Sequence, residues 1–458
     1  MPPYHTHAAI VATGDELAIG QSLNTNSRWL ADRLMGLGIE TVEHVIVGDD
    51  AARLAATLRR LTAELPLVIV TGGLGPTLDD VTRDALADVM GDTLVTDEAS
   101  LAAIERRFAA RGRTLTDNQR LQALRPSRAT SLPNDVGTAP GLYGAVGGSG
   151  GEEGADVFCL PGPPRELRPM FERDVLPRLR PDPARIVRTR LLHLIGIGEG
   201  DAAARLGDLM ARTRSPLVGI TAAGAILTIR IRAAAPSETE AEAHLDAAER
   251  QVRDALGAFI FGRGDQTLEG VVLDLMRSRA RTLATVESCT GGGLGALITR
   301  VPGASDVLLG GWVTYSNELK RRQVGVPADL LAAHGAVSDP VARAMAAGGL
   351  ERSGATDCLS ITGIAGPGGG SESKPVGTVY IGRAWRDPTS PGAPVATEAR
   401  RFLISGDRDD IRDRSARLAL AMLYFALTPS PQAPSSTPAS APPRAPTLLW
   451  EVPNPSSP

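Results

Sequence analysis

Two separate parts of the chain share one pattern, in which a short apolar run ends in a glycine-rich turn and helical spacing follows. In the first part, apolar runs at residues 7–13, 39–47 and 67–71 alternate with segments of helical spacing. Strands that alternate with helices form βαβ units around a parallel sheet. The pattern returns between residues 265 and 427. The sequence therefore predicts an α/β protein with two αβ sandwich domains and mainly parallel sheets.

The rest of the chain separates and follows these domains. Within residues 181–264 the sequence predicts a strand around 191–197 and a helix near 201–212 after a glycine-rich turn at 196–200. Alternating strands at 225–233 and a long helix at 238–256 follow, and together these elements form a small α+β module. Residues 428–458 are mostly Pro, Ser, Ala and Thr, so we expect a disordered tail. Glycine-rich residues 144–154 are expected to form a flexible loop. The predicted domains are 1–180, 181–264 and 265–427, with the tail at 428–458.

Composition argues against several classes of partner. The formal charge of −4 creates no field that would attract nucleic acid, and 3% aromatic residues provide few stacking platforms. No apolar stretch approaches the roughly 20 residues that a membrane helix needs. The three cysteines are too few and too scattered for a disulfide framework. We expect a cytoplasmic protein without a membrane or nucleic-acid partner.

One glycine-rich turn of the C-terminal domain has the layout of a nucleophile site. An apolar strand at 282–286 runs into residues 287–293, where Ser288 and Cys289 precede three glycines and a helix. A helix N-terminus favours an anion, so a nucleophile here would have oxyanion donors and a phosphate seat beside it. The alternative is a tight turn whose serine caps the helix.

Two later segments strengthen the catalytic interpretation. Residues 312–320 pass from a strand into a helix that carries Lys320, and residues 361–370 form a second glycine-rich loop. The amides of such a loop can close over a phosphate or a ribose. No histidine of the chain is well placed as a base, which favours a serine–lysine pair over a Ser-His-Asp triad.

These segments resemble the C-terminal domain of the competence/damage-inducible CinA family and the nicotinamide-nucleotide amidohydrolase PncC. The resemblance implies a serine amidohydrolase that converts nicotinamide mononucleotide to nicotinic acid mononucleotide and ammonia, without a cofactor. It also implies Ser288 as the nucleophile and Lys320 as its base, with Tyr315 assisting, whereas Cys289 is a packing residue. Further candidates for substrate contacts are Thr290, Gly291, Asn317, Gly363, Gly366 and Arg408.

Two turns of the N-terminal domain combine glycines with carboxylates. One follows the first strand and the other follows the strand at 67–71, so both should lie at the carboxyl end of the sheet. Glycines let the backbone approach a phosphate, and clustered carboxylates hold a hard divalent cation. Helix capping is the alternative role for either acid of the second turn alone. The carboxylates predicted as metal ligands are Asp15, Glu16, Asp79 and Asp80.

This domain resembles the molybdopterin-binding fold of the MogA/MoaB type, in the version that forms the N-terminal half of CinA proteins. The resemblance implies an ADP-ribose pyrophosphatase that needs a divalent cation such as Mg, Mn or Co. Residues 185–262 resemble a KH-type module, expected here as a structural connector, and the family suggests a homodimer. The predicted nucleotide contacts are Gly14, Asn24, Gly72, Gly73 and Gly75.

Two other interpretations stay open. The N-terminal half could bind molybdopterin or adenylylate it, because the same glycines and acids suit that ligand as well. The whole chain could instead be a non-enzymatic partner in competence or recombination. The presence of Ser288, Tyr315 and Lys320 argues against the second of these, since an inactive scaffold has no need of that polar trio.

Overall fold

The computed structural model describes residues 4–147, 154–387, 394–428 and 446–454. The chain divides into two compact units, one of Met1–Arg188 with Ala233–Ala243 and one of Thr189–Arg232 with His244–Pro458. Of the glycine-rich segment predicted as a loop, Gly144 to Val146 belong to a strand, and residues 148–153 lie outside the described residues.

The first unit is built on a six-stranded sheet in the order β2-β1-β3-β8-β7-β6. Strand β1 pairs in parallel with β2 and β3, and β3 with β8, whereas β7 runs antiparallel to β8 and β6. The strands are β1 (His7–Thr13), β2 (Glu40–Val47), β3 (Leu67–Thr71), β6 (Thr130–Leu132), β7 (Gly141–Val146) and β8 (Ala155–Leu160), with β4 (Leu94–Thr96) and β5 (Leu124–Pro126) in a separate pair.

Helices pack on both faces of this sheet. Val68 and Val70 belong to one core cluster and Ile69 to another, because successive strand residues point to opposite faces. Leucines at helical spacing complete each core, such as Leu58 on one face and Leu34 on the other. The helices are α1 (Asp15–Ala18), α2 (Thr25–Gly36), α3 (Ala51–Glu64), α4 (Thr82–Met90), α5 (Glu98–Ala109), α6 (Asp117–Arg120) and α7 (Pro164–Met170).

A four-stranded antiparallel sheet with two helices follows in the chain. Its order is β10-β11-β9-β12. The predicted long helix at 238–256 is confirmed, and the glycine cluster at 196–200 forms the turn that begins a helix. The elements are β9 (Ile186–Ile195), α8 (Glu199–Leu206), β10 (Leu217–Ala223), β11 (Ile226–Ala235), α9 (Glu238–Leu256) and β12 (Ile260–Arg263).

The C-terminal sheet has the order β14-β13-β15-β16-β17-β18. Strand β13 pairs in parallel with β14 and β15, and the remaining neighbours are antiparallel. The strands are β13 (Leu283–Glu287), β14 (Leu308–Val313), β15 (Asp357–Gly363), β16 (Thr378–Trp385), β17 (Ala396–Leu403) and β18 (Glu451–Val452). The helices are α10 (Leu268–Arg277), α11 (Gly293–Thr299), α12 (Asn317–Val324), α13 (Ala328–His334), α14 (Asp339–Ser353) and α15 (Arg408–Leu427).

A close approach of two helices fixes the position of α12. A Cβ atom added to Gly348 of α14 would lie 1.7 Å from the carbonyl oxygen of Val324, the last residue of α12. Only glycine allows this contact, because no side chain can occupy that space. Helix α12 carries Lys320, so the backbone contact places the predicted base against the carboxyl ends of the strands.

Part of the tail predicted as disordered is ordered. Residues 451 and 452 form β18, which pairs with Arg401 and Phe402 of β17, and Leu448 is 3% exposed. The prediction was wrong here because two leucines and a tryptophan at 448–450 supply apolar surface that the Pro-rich composition concealed. Residues 429–445 and 455–458 lie outside the described residues.

The predicted fold class is confirmed, with two α/β domains and a small antiparallel α+β module between them in the chain. The predicted domain boundaries remain predictions. Among the described residues, no helix combines the length and apolarity that crossing a bilayer would require.

Candidate functional site

The carboxyl ends of three adjacent strands form the C-terminal site. Because β14 and β15 flank β13 in parallel, their ends bring residues 288, 314 and 363 to the same edge of the sheet. A cavity of about 290 Å³ opens there. The predicted residues that line it are Ser288, Tyr315, Asn317, Lys320, Gly363, Gly366 and Arg408.

Ser288 and Lys320 form a buried hydrogen-bonded pair. The Lys320 Nζ atom lies 3.0 Å from Ser288 Oγ, 2.9 Å from the carbonyl oxygen of Thr314 and 3.2 Å from that of Tyr315. Lys320 is 1% exposed and Ser288 is 8% exposed. The amine therefore has three oxygen partners, and none of its hydrogen-bond partners among the described residues is a carboxylate.

Burial lowers the pKa of Lys320 from its ordinary value of 10.5 to about 8. A buried ammonium loses hydration that the two carbonyls only partly replace, so the neutral amine is favoured. A lysine with this pKa is substantially neutral near pH 8 and can then accept a proton from Ser288.

Lysine is rare in this chain, which makes its position informative. Of the 48 Lys and Arg residues, only Lys320 and Lys374 are lysines. Arginine cannot be deprotonated in a protein, so a base that must become neutral has to be lysine. Lys374 lies near the same site, where its Nζ donates to the carbonyl of His334 at 3.0 Å. This low lysine count is a signal in the sequence that the motifs by themselves do not carry.

The helix N-terminus beside Ser288 does not provide the predicted phosphate seat. The Glu287 carboxylate accepts the amides of Gly292 and Leu294 at 3.0 Å each and that of Gly295 at 2.8 Å. Glu287 is 2% exposed. The chain thus supplies its own anion to the dipole of α11, and these three amides are unavailable to a substrate.

Three predicted residues have other positions than expected. Thr290 is fully buried, and neither it nor Gly291 is among the residues that line the cavity. Tyr315 is 57% exposed, and its hydroxyl accepts a hydrogen bond from Arg408 at 2.9 Å instead of one from the Ser288–Lys320 pair. The contribution of Tyr315 to that pair is its main-chain carbonyl.

Cys289 has the properties of a packing residue. Its side chain is buried, and desolvation raises the pKa of the thiol to about 12. A thiol reacts as the thiolate, so this cysteine is a poor nucleophile although it adjoins Ser288.

Two arginines of the first turns of α15 hold the loops around the cavity. Arg408 donates to the carbonyl of Gly366, and Arg412 donates to that of Thr290 at 3.2 Å. The helix thereby joins the nucleophile turn to the second glycine-rich loop. Arg412 could not be selected from the sequence, because its partner is 122 positions away.

The N-terminal site is a wider cavity of about 560 Å³ at the ends of β1, β3 and β8. Four of the predicted glycines line it, namely Gly14, Gly72, Gly73 and Gly75. Gly72 has φ +102°, and a Cβ atom there would lie 2.6 Å from the carbonyl oxygen of Thr13. The predicted contact Asn24 does not line the cavity, because its side chain caps α2 through the amide of Ser27.

The predicted metal ligands are divided between the cavity and the loops that frame it. Asp80 lines the cavity, but its oxygens accept the amides of Gly75 and Thr77 at 2.7 and 2.8 Å. Asp15 is bound to Asp49, each carboxylate accepting the other residue's amide at 3.1 Å. Asp80 therefore holds the backbone of its own turn, whereas Asp15 holds that of the turn that contains Asp49.

Four other carboxylates line the cavity, those of Glu16, Asp49, Asp79 and Glu166. Burial is the largest cause that raises the pKa of Asp49, and the negative charges of Asp15, Glu16 and Asp79 raise it further. The hydrogen bond from the Asp15 amide acts in the other direction and lowers this pKa, but the net shift is upward. Oxygen donors of this kind suit a hard cation. In the described part of the chain, however, no three His, Cys, Asp or Glu side chains converge as a metal site. The chemistry of the donors fits a divalent cation, but the acids are not gathered around one point.

The cavity also contains positive charge that the motifs did not reveal. Arg107, Arg111 and Arg165 also line it, and Arg107 lines an adjoining cavity of about 850 Å³ as well. Buried Arg83 donates to the carbonyls of Leu74 and Gly75 at 2.7 and 2.6 Å and so fixes the glycine turn. Arg107 and Arg111 lie four residues apart around the end of α5, a spacing that is visible in the sequence, whereas Arg165 comes from the start of α7.

Sequence comparisons match all three parts of the chain to known domains. The CinA C-terminal domain matches residues 265–427, a probable molybdopterin binding domain matches 9–181, and the KH domain of damage-inducible protein CinA matches 189–262. A competence-damage inducible protein of Symbiobacterium thermophilum is 46% identical over 91% of this chain and 97% of its own length.

The chain belongs to the CinA family. A CinA-like protein of Gemmatimonas aurantiaca is 40% identical over 90% of this chain and 95% of its own. The competence/damage inducible protein CihA from Agrobacterium tumefaciens, whose crystal structure is known, is 38% identical to this chain. The match covers 35% of this chain and 93% of that protein, with a TM-score of 0.32.

The Glu287 contacts lead to a prediction about stability. Glutamine in its place has one acceptor oxygen and no charge, so Glu287→Gln leaves at least one buried amide without a partner. We expect it to destabilise the C-terminal domain by about 2 kcal/mol, measured by thermal unfolding. The control is Glu269→Gln, because Glu269 is 8% exposed and its Oε2 has no partner among the described residues. Equal melting temperatures of the two variants would contradict the capping role.

Proposed function

We propose that the C-terminal domain is a serine amidohydrolase that converts nicotinamide mononucleotide to nicotinic acid mononucleotide and ammonia. The observation that carries this proposal is the 3.0 Å contact between Ser288 Oγ and the buried amine of Lys320. A serine hydroxyl needs a positioned base to become a nucleophile, and this lysine has its pKa lowered into the working range.

The partners of Lys320 explain how it acts as a base. A neutral amine has two hydrogens, which the carbonyl oxygens of Thr314 and Tyr315 accept. Its lone pair then faces the Ser288 hydroxyl. Ser288 Oγ attacks the carboxamide carbon while Lys320 takes the proton, and Lys320 returns that proton to the departing nitrogen as ammonia leaves. Water then hydrolyses the ester on Ser288 and gives the carboxylate product.

The cavity supports a nucleotide as the substrate. Because Glu287 occupies the amides of Gly292, Leu294 and Gly295, we assign the oxyanion donors to the amides of Cys289 and Thr290, which follow the nucleophile directly. The 5′-phosphate is assigned to Arg408 and the glycine loop that it holds, since a guanidinium and loop amides bind phosphate well.

Substitutions at the pair test the amidohydrolase proposal. Ser288→Ala removes the attacking oxygen and Lys320→Ala removes the base, so each should lower ammonia release by roughly 10³-fold or more. The double variant should be hardly worse than either single variant, because the two residues act as a unit.

Two further variants at this site complete the test. Lys320→Arg should also be inactive, because arginine stays charged. Cys289→Ala is the matched neighbour and should keep near-normal turnover. Full activity of Ser288→Ala, or loss of activity in Cys289→Ala, would disprove the assignment.

We propose that the N-terminal domain hydrolyses the diphosphate of ADP-ribose to AMP and ribose 5-phosphate. The support is a cavity whose glycine turns allow close approach of phosphates and whose three arginines can neutralise them. Glu16, Asp49 and Asp79 would each offer an oxygen ligand to a divalent cation that the substrate phosphates bring with them, and the cation would supply further neutralisation. The adjoining cavity gives room for the second half of a dinucleotide.

A second candidate ligand for this domain is molybdopterin, which the match to the probable molybdopterin binding domain favours. Both ligands carry phosphate, so the glycine turns serve either. Product analysis after incubation with ADP-ribose separates them, because only the pyrophosphatase releases AMP.

Removal of cations should separate the two activities. A chelator should abolish ADP-ribose hydrolysis, since the mutual repulsion of the N-terminal acids would then be uncompensated. Ammonia release should persist, because the C-terminal pair uses a lysine base. Both reactions are followed in the same sample with and without added Mg²⁺ or Mn²⁺. Loss of ammonia release with intact ADP-ribose hydrolysis would reverse this division of labour.

A further inference from the structure

The ordered C-terminal segment, residues 446–454, packs across the second unit. Its strand β18 pairs with the end of β17, and the amide of Leu403 donates to the carbonyl of Trp450 at 2.9 Å. The amide of Leu449 donates to the carbonyl of Gly196 at 3.0 Å. A Cβ atom on Gly196 would lie 2.9 Å from Leu448, so this glycine allows the segment to lie against its turn.

The segment also contacts the connection that leads into the candidate site. The Arg414 guanidinium lies 5.2 Å from the centre of the Trp450 ring. Arg414 also donates to the carbonyl of Ser405 and pairs with Asp410 at 3.1 Å. Residues 403–407 lead directly from β17 to Arg408 at the start of α15. Trp450 therefore supports this connection through a main-chain hydrogen bond and through Arg414.

A second contact of the C-terminal segment lies close in sequence to another residue that lines the cavity. Asn454 Nδ2 donates to Asp339 Oδ2 at 3.0 Å. Asp339 begins α14, two residues after Val337, which lines the cavity. The C-terminal segment thus contacts the connection that precedes Arg408. It also contacts α14, the helix that begins two residues after the cavity residue Val337.

We propose that residues 446–454 position Arg408 for substrate binding, with Trp450 as the residue that anchors the segment. This inference rests on the proposed function in one respect, the assignment of the substrate phosphate to Arg408. Trp450 acts only through Leu403 and Arg414 and is a positioning residue. The segment contacts neither Ser288 nor Lys320, so substrate binding should depend on it and the chemical step should not.

Kinetics of the full-length protein test this role. Trp450→Ala, Arg414→Ala and a chain that ends at Thr428 should each raise KM for nicotinamide mononucleotide roughly tenfold and change kcat less than about twofold. Arg417→Ala is the matched control. Arg417 forms an ion pair with Asp413 four residues before it, as Arg414 does with Asp410, but no contact between Arg417 and residues 446–454 is found among the described residues. In the Arg408→Ala background, Trp450→Ala should raise KM no further.

Hydrogen exchange provides a readout that does not depend on the substrate. Amides 403–408 should exchange faster in Trp450→Ala than in the wild type, and those of β13 should be unchanged. An unaltered KM in the chain ending at Thr428, or a loss confined to kcat, would overturn the positioning role. If the wild type releases no ammonia, the proposed function fails, and unchanged exchange at 403–408 would separately overturn this inference.

Discussion

The Lys320 amine lies among one serine hydroxyl and two main-chain carbonyls, and the rest of the C-terminal site preserves that arrangement. The contact of Gly348 with Val324 fixes the helix that carries the lysine, and the hydrogen bonds of Glu287 fix the turn that carries the serine. A carboxylate beside the amine would stabilise its charged form and raise its pKa. The carboxylate of Glu287, the residue before Ser288, instead accepts the amides of the helix N-terminus.

The two candidate sites use similar glycine turns for different electrostatic purposes. In the C-terminal cavity the chain neutralises its own helix dipole and keeps a single amine away from water. The N-terminal cavity is wider, and it is lined both by acids, among them Glu16, Asp49 and Asp79, and by three arginines. The raised pKa of Asp49 reflects burial and this crowding. A site of this kind is suited to a ligand that brings several negative charges and a cation.

The elements of the fold could be predicted from the sequence because apolar periodicity and glycine turns are local signals. The same holds for Ser288, which lies on a recognisable turn, and for Lys320, which lies on the helix that follows a strand and a short turn. The role of Glu287 was missed because the turn pattern suggests free amides, and the adjacent carboxylate competes for them only in three dimensions. Asp49 joins the acids through the pairing of β2 with β1. The C-terminal strand was missed because average composition concealed three apolar residues, 448–450.

The most direct test of the buried amine is its own titration. Because Lys320 and Lys374 are the only lysines, the protein labelled with ¹³C-lysine should give two Cε resonances in an NMR titration. The account predicts that one of them titrates at about pH 8 and is the one absent from Lys320→Arg. If the resonance lost in that variant titrates at or above the ordinary value of 10.5, Lys320 is a cation at working pH and cannot be the base.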